Sequence, residues 1–288
     1  MASAIPPDRL LPAQSALVTG AGSGIGRAIA QAMAAAGARV VVNDLPAKQK
    51  EAEATAASIK AAGGEACVIC ADVSQEAAVV AMVEAASPLD ILVNNAGIEA
   101  IGSVETLSLA TWQAALDVNL TGAFLCSREA VRTFKRQGRS RAISSRTGKI
   151  LFVTSIHESS ARPNAAAYAA SKAGMMMLMR TLALEVGPFG IRVNSLCPGA
   201  TNTTQTATVT ADPDAAAALA QSIPLQRIAE PEDIARAAVW LASDQADYIH
   251  GASLFIDGGM SLQMNAARFP GGIRKQIAAA IRRRLRGR

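Results

Sequence analysis

The chain reads Thr19-Gly20-Ala21-Gly22-Ser23-Gly24-Ile25-Gly26 between a short apolar run, 16–19, and a segment with the apolar spacing of a helix. Glycine lacks the Cβ atom that would collide with a close ligand, so backbone N–H groups and the start of the helix can approach a pyrophosphate. The common G-x-G-x-x-G phasing fails here, because Ile25 and Arg27 stand where its last glycine would fall. The strand, turn and helix in succession still predict a dinucleotide-binding turn.

Apolar runs that predict strands recur along the chain. They are 16–19, 40–43, 67–70, 91–93, 150–154, 192–196 and 254–256. The segments between them place apolar residues three to four positions apart, as helices do. Continuous apolar strands separated by helices are typical of a parallel sheet covered on both faces. The sequence therefore predicts an α/β fold: a single doubly wound Rossmann-type domain with about seven parallel strands and helices on both faces.

Composition and charge exclude several classes of protein. A chain of 288 residues that is 50% hydrophobic and 18% charged can bury a full core, which excludes a disordered, fibrous or disulfide-dense protein. No stretch reaches the ~18 apolar residues of a membrane span, and residues 1–12 lack a secretory apolar core, so we expect a cytoplasmic protein. The net charge of +5 includes seven Lys/Arg in 274–288, and subtracting them leaves −2 elsewhere. No nucleic-acid partner is expected.

The cysteines predict no metal site. Cys67 and Cys70 have the spacing of a metal-binding pair, but neither a second Cys pair nor a His pair at zinc spacing accompanies them. We interpret them as small residues in a buried strand.

Asp44 follows the second predicted strand, at the distance where a carboxylate can accept hydrogen bonds from an adenosine ribose. The same carboxylate would repel a 2′-phosphate, and no Arg follows it directly. These observations favour NAD over NADP. The alternative is that Asp44 caps a helix that begins near Pro46.

Further motifs follow in order, namely Asp72-Val73, Asn94-Asn95-Ala96-Gly97 and Pro198-Gly199-Ala200-Thr201-Asn202-Thr203. With the T-G-x-x-x-G-x-G spacing of 19–26, the chain resembles the short-chain dehydrogenase/reductase family through about Met260. The resemblance implies a cofactor site for NAD. Its expected residues are Gly20, Ser23, Gly24, Ile25, Gly26, Asp44, Asp72, Val73, Asn94, Ala96, Gly97, Tyr168, Lys172, Pro198, Gly199, Thr201 and Thr203.

Tyr168 and Lys172 stand four residues apart in a predicted helix, so both side chains lie on one face. A nearby cation favours the phenolate of a tyrosine and so suits it to take a hydroxyl proton. Ser155 precedes the tyrosine by thirteen residues, and Asn119 lies in Asp117-Val118-Asn119. The family resemblance implies that Tyr168 is the acid/base, Lys172 lowers its pKa and holds the nicotinamide ribose, Ser155 orients substrate and Asn119 supports a proton relay.

Three short motifs bear on the class of substrate. Asn94 to Glu99, Asn119 to Leu125 and Ser155-Ile156-His157-Glu158 resemble the bacterial glucose 1-dehydrogenases, so a sugar or polyol alcohol is favoured. Ser155, His157 and Glu99 are then the candidate substrate-binding residues. The alternatives are a cyclic or steroid alcohol, a 3-oxoacyl substrate, or a nucleotide-binding regulatory protein without turnover.

The expected organisation is a flexible segment at 1–12, the dinucleotide-binding catalytic domain at 13–263 and a basic extension at 264–288. In the extension, Ile273, Ile277, Ile281 and Leu285 recur every four residues, which predicts a basic amphipathic helix. Such a helix could lie on an anionic membrane or dock on a partner, and the alternative is a solvated tail. By resemblance, the helix with the methionine-rich run 175–179 implies a homodimer or homotetramer.

Overall fold

A computed structural model describes residues 10–138, 140, 142–204 and 206–262, without the side chains of 208 and 209. The basic extension predicted at 264–288 lies outside the described residues. Seven strands form one sheet: β1 (Ser15–Val18), β2 (Arg39–Asp44), β3 (Glu65–Cys70), β4 (Ile91–Asn94), β5 (Gly148–Val153), β6 (Ile191–Pro198) and β7 (Ser253–Ile256).

The helices lie between the strands in sequence. They are α1 (Gly24–Ala35), α2 (Gln49–Ala61), α3 (Glu76–Ala85), α4 (Leu109–Leu116), α5 (Gly122–Gln137), α6 (Ala166–Val186), α7 (Ala207–Thr210), α8 (Pro213–Gln221) and α9 (Pro231–Ala242). A π-helical turn, Asp117–Thr121, joins α4 to α5. Short 3₁₀ turns occur at Pro46–Lys48, Ile156–Glu158, Gly187–Phe189 and Asp244–Ala246.

The strand order is β3-β2-β1-β4-β5-β6-β7, and every neighbouring pair is parallel. The predicted doubly wound sheet is therefore confirmed. The chain reverses its direction of strand addition between β1 and β4. In such sheets, ligands bind at the carboxyl ends of the strands beside that reversal.

Alternating residues of the strands supply two cores. Val18 and Val42 face the layer of α1, α2 and α9, whereas Leu17 and Val41 face the layer of α3, α5 and α6. Because both faces of the central strands are covered, their sequences are apolar without alternation, which is the pattern that predicted them. No helix in the described part of the chain is long and apolar enough to cross a membrane.

Two expectations need correction. The interpretation of 67–70 as a buried strand is wrong in its burial, because β3 is an edge strand in which Cys67 is exposed and Cys70 half-buried. Leu11 falls within the segment predicted to be flexible, yet it is fully buried and its N–H donates to the Ala36 carbonyl at 3.0 Å. The packed part of the chain therefore includes Leu11, whose apolar side chain completes the core beside α1.

Candidate active site

A cleft of about 630 Å³ opens at the carboxyl ends of the strands, beside the reversal between β1 and β4. The glycine turn after β1 lines one part of it, and Tyr168 and Lys172 of α6 line another. Every predicted cofactor or substrate residue except Asn94 lines this cleft. Residues that are far apart in sequence thus meet here.

The glycine turn depends on the absence of side chains. Gly20 has φ +63°, a conformation that L side chains rarely adopt, and a Cβ on Gly26 would fall on the Gly20 carbonyl and the Asn95 amide. Asn95 Nδ2 donates to the carbonyl oxygens of Thr19 and Gly20 at 2.9 and 3.0 Å. The loop after β4 therefore holds the turn against the start of α1.

Asp44 is fixed at the end of β2 by two backbone donors. Its Oδ2 accepts from the Gly22 N–H at 2.9 Å, and its Oδ1 accepts from the Leu45 N–H at 2.8 Å. The carboxylate is only partly buried and lines the cleft. The predicted helix-cap alternative is not the arrangement found, since Leu45 rather than Asp44 is the N-cap residue of the turn Pro46–Lys48.

Asp72 and Val73 lie beyond β3, on the same side of the cleft as Asp44. The Asp72 Oδ1 accepts from the backbone N–H and the hydroxyl of Ser74, at 2.9 and 2.8 Å. These bonds fix the direction of the backbone at the place where the apolar Val73 reaches the cleft.

Asn94 is an expected cofactor residue whose side chain the structure does not bring to the cleft. Asn94 is buried at the end of β4, and its Nδ2 donates to Ser127 Oγ at 2.9 Å, on the α5 side of the sheet. Neighbouring residues of a strand point to opposite faces, so Asn95 rather than Asn94 lines the cleft. The sequence motif contains both residues and gives no sign of which one faces the ligand.

Tyr168 and Lys172 lie one turn apart on α6, with Lys172 Nζ 5.6 Å from the centre of the tyrosine ring. Lys172 is buried, and its Nζ donates to the Val153 carbonyl of β5 at 2.9 Å. Ser155, two residues after β5 ends, hydrogen-bonds the Tyr168 phenol. The predicted serine, tyrosine and lysine therefore come together.

Burial dominates the protonation of both groups. Desolvation raises the pKa of the Tyr168 phenol, and the Ser155 hydrogen bond opposes that rise. Desolvation also lowers the pKa of Lys172 to about 8. These shifts belong to the protein alone, so the lowering of the Tyr168 pKa by Lys172 together with the oxidised nicotinamide stays a prediction.

Asn119 lies in the π-helical turn and does not line the cleft; it is fully buried behind the wall formed by Gly97 and Ile98. Its Oδ1 accepts from the Ile98 N–H at 2.8 Å, and its Nδ2 donates to the Ile98 carbonyl at 3.0 Å and to Ser171 Oγ at 2.9 Å. A Cβ on Gly97 would lie 3.1 Å from Asn119 Oδ1 and 3.6 Å from Lys172 Nζ. Asn119 thus positions the wall beside Lys172.

The segment after β6 completes the cleft with Pro198, Gly199, Thr201 and Thr203. The Thr206 hydroxyl donates to the Thr201 carbonyl at 2.7 Å, which closes this threonine-rich loop on itself. A Cβ on Gly24 would contact Thr203 at 3.5 Å, so the loop meets the glycine turn across the cleft.

The substrate end of the cleft has a polar edge and an apolar wall. Glu99 pairs with Arg162 at 2.8 Å, and His157 packs edge-on against Tyr168 with ring centres 6.3 Å apart. The wall consists of Ile98, Ile156, Leu219 and Met260. No sequence motif marks Arg162, which is brought to Glu99 only when the loops after β4 and β5 meet.

The donor set fits a nicotinamide dinucleotide. The glycine turn is a cradle that side chains at Gly22 and Gly26 would fill, since a Cβ on Gly22 would lie 2.7 Å from Asp44 Oδ2. A fixed carboxylate stands at one end of the cleft, and the buried lysine, with the tyrosine beside it, at the other. Within the described residues, no three possible His, Cys, Asp or Glu ligands cluster as a metal site would require.

Comparisons with known proteins agree with this geometry. The family model described as enoyl-(acyl carrier protein) reductase matches residues 20–261. The chain is 44% identical to 3beta-hydroxysteroid dehydrogenase 1 of Eggerthella lenta, over 88% of this chain and 95% of that protein. It is 36% identical to glucose 1-dehydrogenase 2 of Bacillus subtilis, over 88% of this chain and 96% of that protein.

A solved structure is similar over most of the chain. The gluconate 5-dehydrogenase from Burkholderia cenocepacia, in complex with NADP and tartrate, superposes with a TM-score of 0.80 and is 32% identical, covering 88% of this chain and 98% of that one.

Proposed function

The chain belongs to the short-chain dehydrogenase/reductase family and is an oxidoreductase that acts on CH–OH groups, and from that premise we propose that it oxidises a cyclic secondary alcohol with NAD. The observation that carries the proposal is the meeting of Ser155, Tyr168 and Lys172 in one cleft with the glycine turn and Asp44.

Each of the polar residues of the site has its own proposed role in the reaction. The Ser155 hydroxyl hydrogen-bonds the reacting oxygen, and the Tyr168 oxygen takes the hydroxyl proton from it. When bound, NAD supplies the acceptor for the hydride of the carbinol carbon and a positive charge that favours the Tyr168 phenolate. Lys172 adds a second positive charge beside the ring and holds the nicotinamide ribose. Asn119 keeps the Gly97 and Ile98 wall against the lysine.

NAD is the proposed cofactor because Asp44 stands at the end of β2 with both oxygens already oriented by backbone N–H groups. A ribose hydroxyl can donate to such a carboxylate, whereas a 2′-phosphate would bring like charges together. No Arg or Lys follows Asp44 directly, since the next residues are Leu45 and Pro46. The gluconate 5-dehydrogenase neighbour holds NADP, so the preference rests on this chain's own residues.

The substrate class follows from the lining of the mouth. Ile98, Ile156, Leu219 and Met260 offer an apolar wall that suits the carbon skeleton of a ring alcohol. The 3beta-hydroxysteroid dehydrogenase relative is consistent with that class. A sugar or polyol is the second candidate, because the Glu99 and Arg162 pair could exchange its ion pair for hydrogen bonds to several hydroxyls.

A substrate panel tests the proposal. Purified enzyme is given NAD and, separately, a 3β-hydroxysteroid, a hydroxycyclohexane, glucose and gluconate, and NADH absorbance is followed. We expect the highest kcat/KM with the 3β-hydroxysteroid or the hydroxycyclohexane. The Tyr168→Phe variant should lose more than ~10²-fold in kcat with the same compound. Cofactor binding without NADH formation from any of these compounds would instead favour the regulatory alternative.

We also propose that the enzyme is a homodimer or homotetramer. Phe124 of α5 and Met177 and Leu184 of α6 are exposed apolar side chains on adjacent helices of one layer. Sedimentation equilibrium should give two or four chains. A monomer at micromolar concentration would contradict this.

For the basic tail we propose salt-sensitive contact with anionic membranes, independent of catalysis. A variant truncated after Asn265 should no longer sediment with anionic vesicles at low salt, and it should form NADH at the rate of the full chain. Equal vesicle binding with and without residues 266–288 rejects the membrane contact.

A further inference from the structure

Two charged side chains face each other at the substrate end of the cleft, and neither takes part in the proton transfer proposed for Tyr168. Glu99 follows β4 and Arg162 precedes α6, and Arg162 Nη2 lies 2.8 Å from Glu99 Oε1. Both side chains line the cleft together with Tyr168 and Ile98. A substrate held at the Tyr168 oxygen therefore shares one cleft with this ion pair.

The pair balances the charge of the substrate end. The charged side chains among the described residues that line the cleft are Asp44, Asp72, Glu99, Arg162 and Lys172. Asp44 ends β2 and Asp72 lies beyond β3, on the side of the cleft where the proposed cofactor has its adenosine. Lys172 Nζ donates to the Val153 carbonyl. Glu99 and Arg162 are thus the charged pair of the substrate end, and their formal charges sum to zero.

A backbone contact holds the two loops together without the ion pair. The Gly102 N–H donates to the Asn164 carbonyl at 2.9 Å, and Gly102 and Ala165 form a parallel bridge. The side chains of Arg162 and Glu99 are 42% and 26% exposed, and an ion pair so open to water contributes little to stability. Removing the Glu99 charge should therefore leave the loops in place and the Arg162 guanidinium able to bind another anion.

The engaged guanidinium favours some substrates over others. Arg binds carboxylates through two parallel N–H···O bonds, so an unpaired Arg in a substrate cleft favours hydroxy acids. Here the guanidinium already contacts Glu99, and a substrate carboxylate that displaced this contact would approach the Glu99 charge. Like charges at short range disfavour binding. An uncharged alcohol meets neither obstacle.

We propose that Glu99 and Arg162 determine the charge selectivity of the substrate end: their ion pair keeps it neutral, so uncharged ring alcohols are preferred over hydroxy acids of the same size. The inference rests on the proposed oxidation of a cyclic alcohol and names its substrate class more narrowly. Both residues act on the choice of substrate and not on the transfer of the proton or the hydride.

The test compares two substrates that are close in shape and differ in charge. Each enzyme is given NAD with 4-hydroxycyclohexanecarboxylate or with the corresponding carboxamide, and NADH absorbance gives the ratio of kcat/KM for the acid to kcat/KM for the amide. Glu99→Gln should raise this ratio about fivefold or more, the size of one exposed opposite-charge contact. A change in the Tyr168 pKa, which burial raises and to which Glu99 and Arg162 also contribute, acts on both substrates and cancels in the ratio.

Three further variants complete the comparison. Arg162→Gln leaves the carboxylate alone at the substrate end, so its ratio should fall below that of the unmodified enzyme, and a rise would contradict the inference even if Glu99→Gln did not fold. The double variant is again uncharged there, so its ratio should return toward that of the unmodified enzyme. Glu105→Gln, at an exposed position of the same loop outside the cleft, should leave the ratio unchanged.

Binding without turnover separates this inference from the proposed function. Calorimetry gives the Kd of the cofactor-free enzyme for cyclohexanecarboxylate and for cyclohexanecarboxamide, and the acid should gain about fivefold over the amide in Glu99→Gln. If this gain is found but the unmodified enzyme oxidises no alcohol, the proposed function fails and the charge selectivity of the cleft stands. A folded Glu99→Gln enzyme that favours the acid no more than the unmodified enzyme does, in kcat/KM and in Kd, overturns the inference.

Discussion

Replacing Lys172 by methionine should change how the stability of the protein depends on pH. Burial lowers the lysine pKa from 10.5 to about 8. An unfolded chain returns the side chain to water, so between pH 8 and pH 10.5 the unfolded state binds more protons than the folded one. The free energy of unfolding contributed by this group therefore rises with pH across that window. Below pH 8 the folded protein carries the full unfavourable term of a buried ammonium.

The magnitude follows from the two pKa values. A difference of about 2.5 pH units at 1.36 kcal/mol each is about 3 kcal/mol at pH 7, and about 1.4 kcal/mol of it remains at pH 9.5. Methionine removes this unfavourable contribution of the buried ammonium at every pH. It also leaves the Val153 carbonyl without the donor now 2.9 Å away, a loss of about 1–3 kcal/mol that does not vary with pH. The loss at Val153 is the same at every pH, so it cancels when the effect of Lys172→Met on the free energy of unfolding is compared between two pH values.

The assay is urea unfolding of the cofactor-free enzyme at pH 7 and pH 9.5, at one protein concentration. The free energy of unfolding of Lys172→Met minus that of the unmodified enzyme should fall by about 2 kcal/mol between these pH values. Lys60→Met, at an exposed position of α2, is the matched control and should give a difference that does not vary with pH. If the difference for Lys172→Met also does not vary with pH, the claim that burial lowers the pKa of Lys172 is refuted.

Three further outcomes are expected. Tyr168→Phe should lose more than ~10²-fold in kcat, because it removes the proton acceptor, while the Kd for NADH by fluorescence changes little; retention of a tenth of kcat would assign the proton to another group. Asp44→Ala should narrow the ratio of kcat/KM for NAD over NADP, and an unmodified enzyme without preference would contradict the role of the carboxylate. Gly26→Ala should abolish NADH binding, since the added Cβ meets the Gly20 carbonyl and the Asn95 amide. Gly63→Ala strains a backbone with φ +82° but lies outside the cleft, so it controls for backbone strain and should retain binding.

The sequence predicted well wherever spacing has a direct structural meaning. The apolar runs become the seven strands because central parallel strands are covered on both faces. The four-residue separation of Tyr168 and Lys172 becomes one face of α6 because a helix repeats at that interval. The glycines of 20–26 predict the turn since their conformations and close approaches exclude side chains.

Prediction from the sequence failed where the tertiary structure decides the outcome and the sequence offers no difference to go by. Asn94 and Asn95 are the same residue type, and only the direction of β4 decides which one reaches the cleft. Cys67 was expected to be buried because its strand is apolar, yet β3 is an edge, and edge position depends on the order in which strands pair. Arg162 was missed because its loop has no periodicity and its partner Glu99 is supplied by another strand connection.

The electrostatics of the site could not be derived from the spacing of Tyr168 and Lys172. Spacing places an ammonium beside a phenol, and charge alone then predicts a lowered phenol pKa. Burial acts on both groups in the opposite sense, raising the pKa of Tyr168 and lowering that of Lys172, so the pair is poised toward its uncharged forms. The proposed catalysis by Tyr168 therefore needs a charge from outside the pair, because a phenol and an ammonium that are both removed from water do not ionise each other. The positive charge of the proposed oxidised cofactor is such a charge.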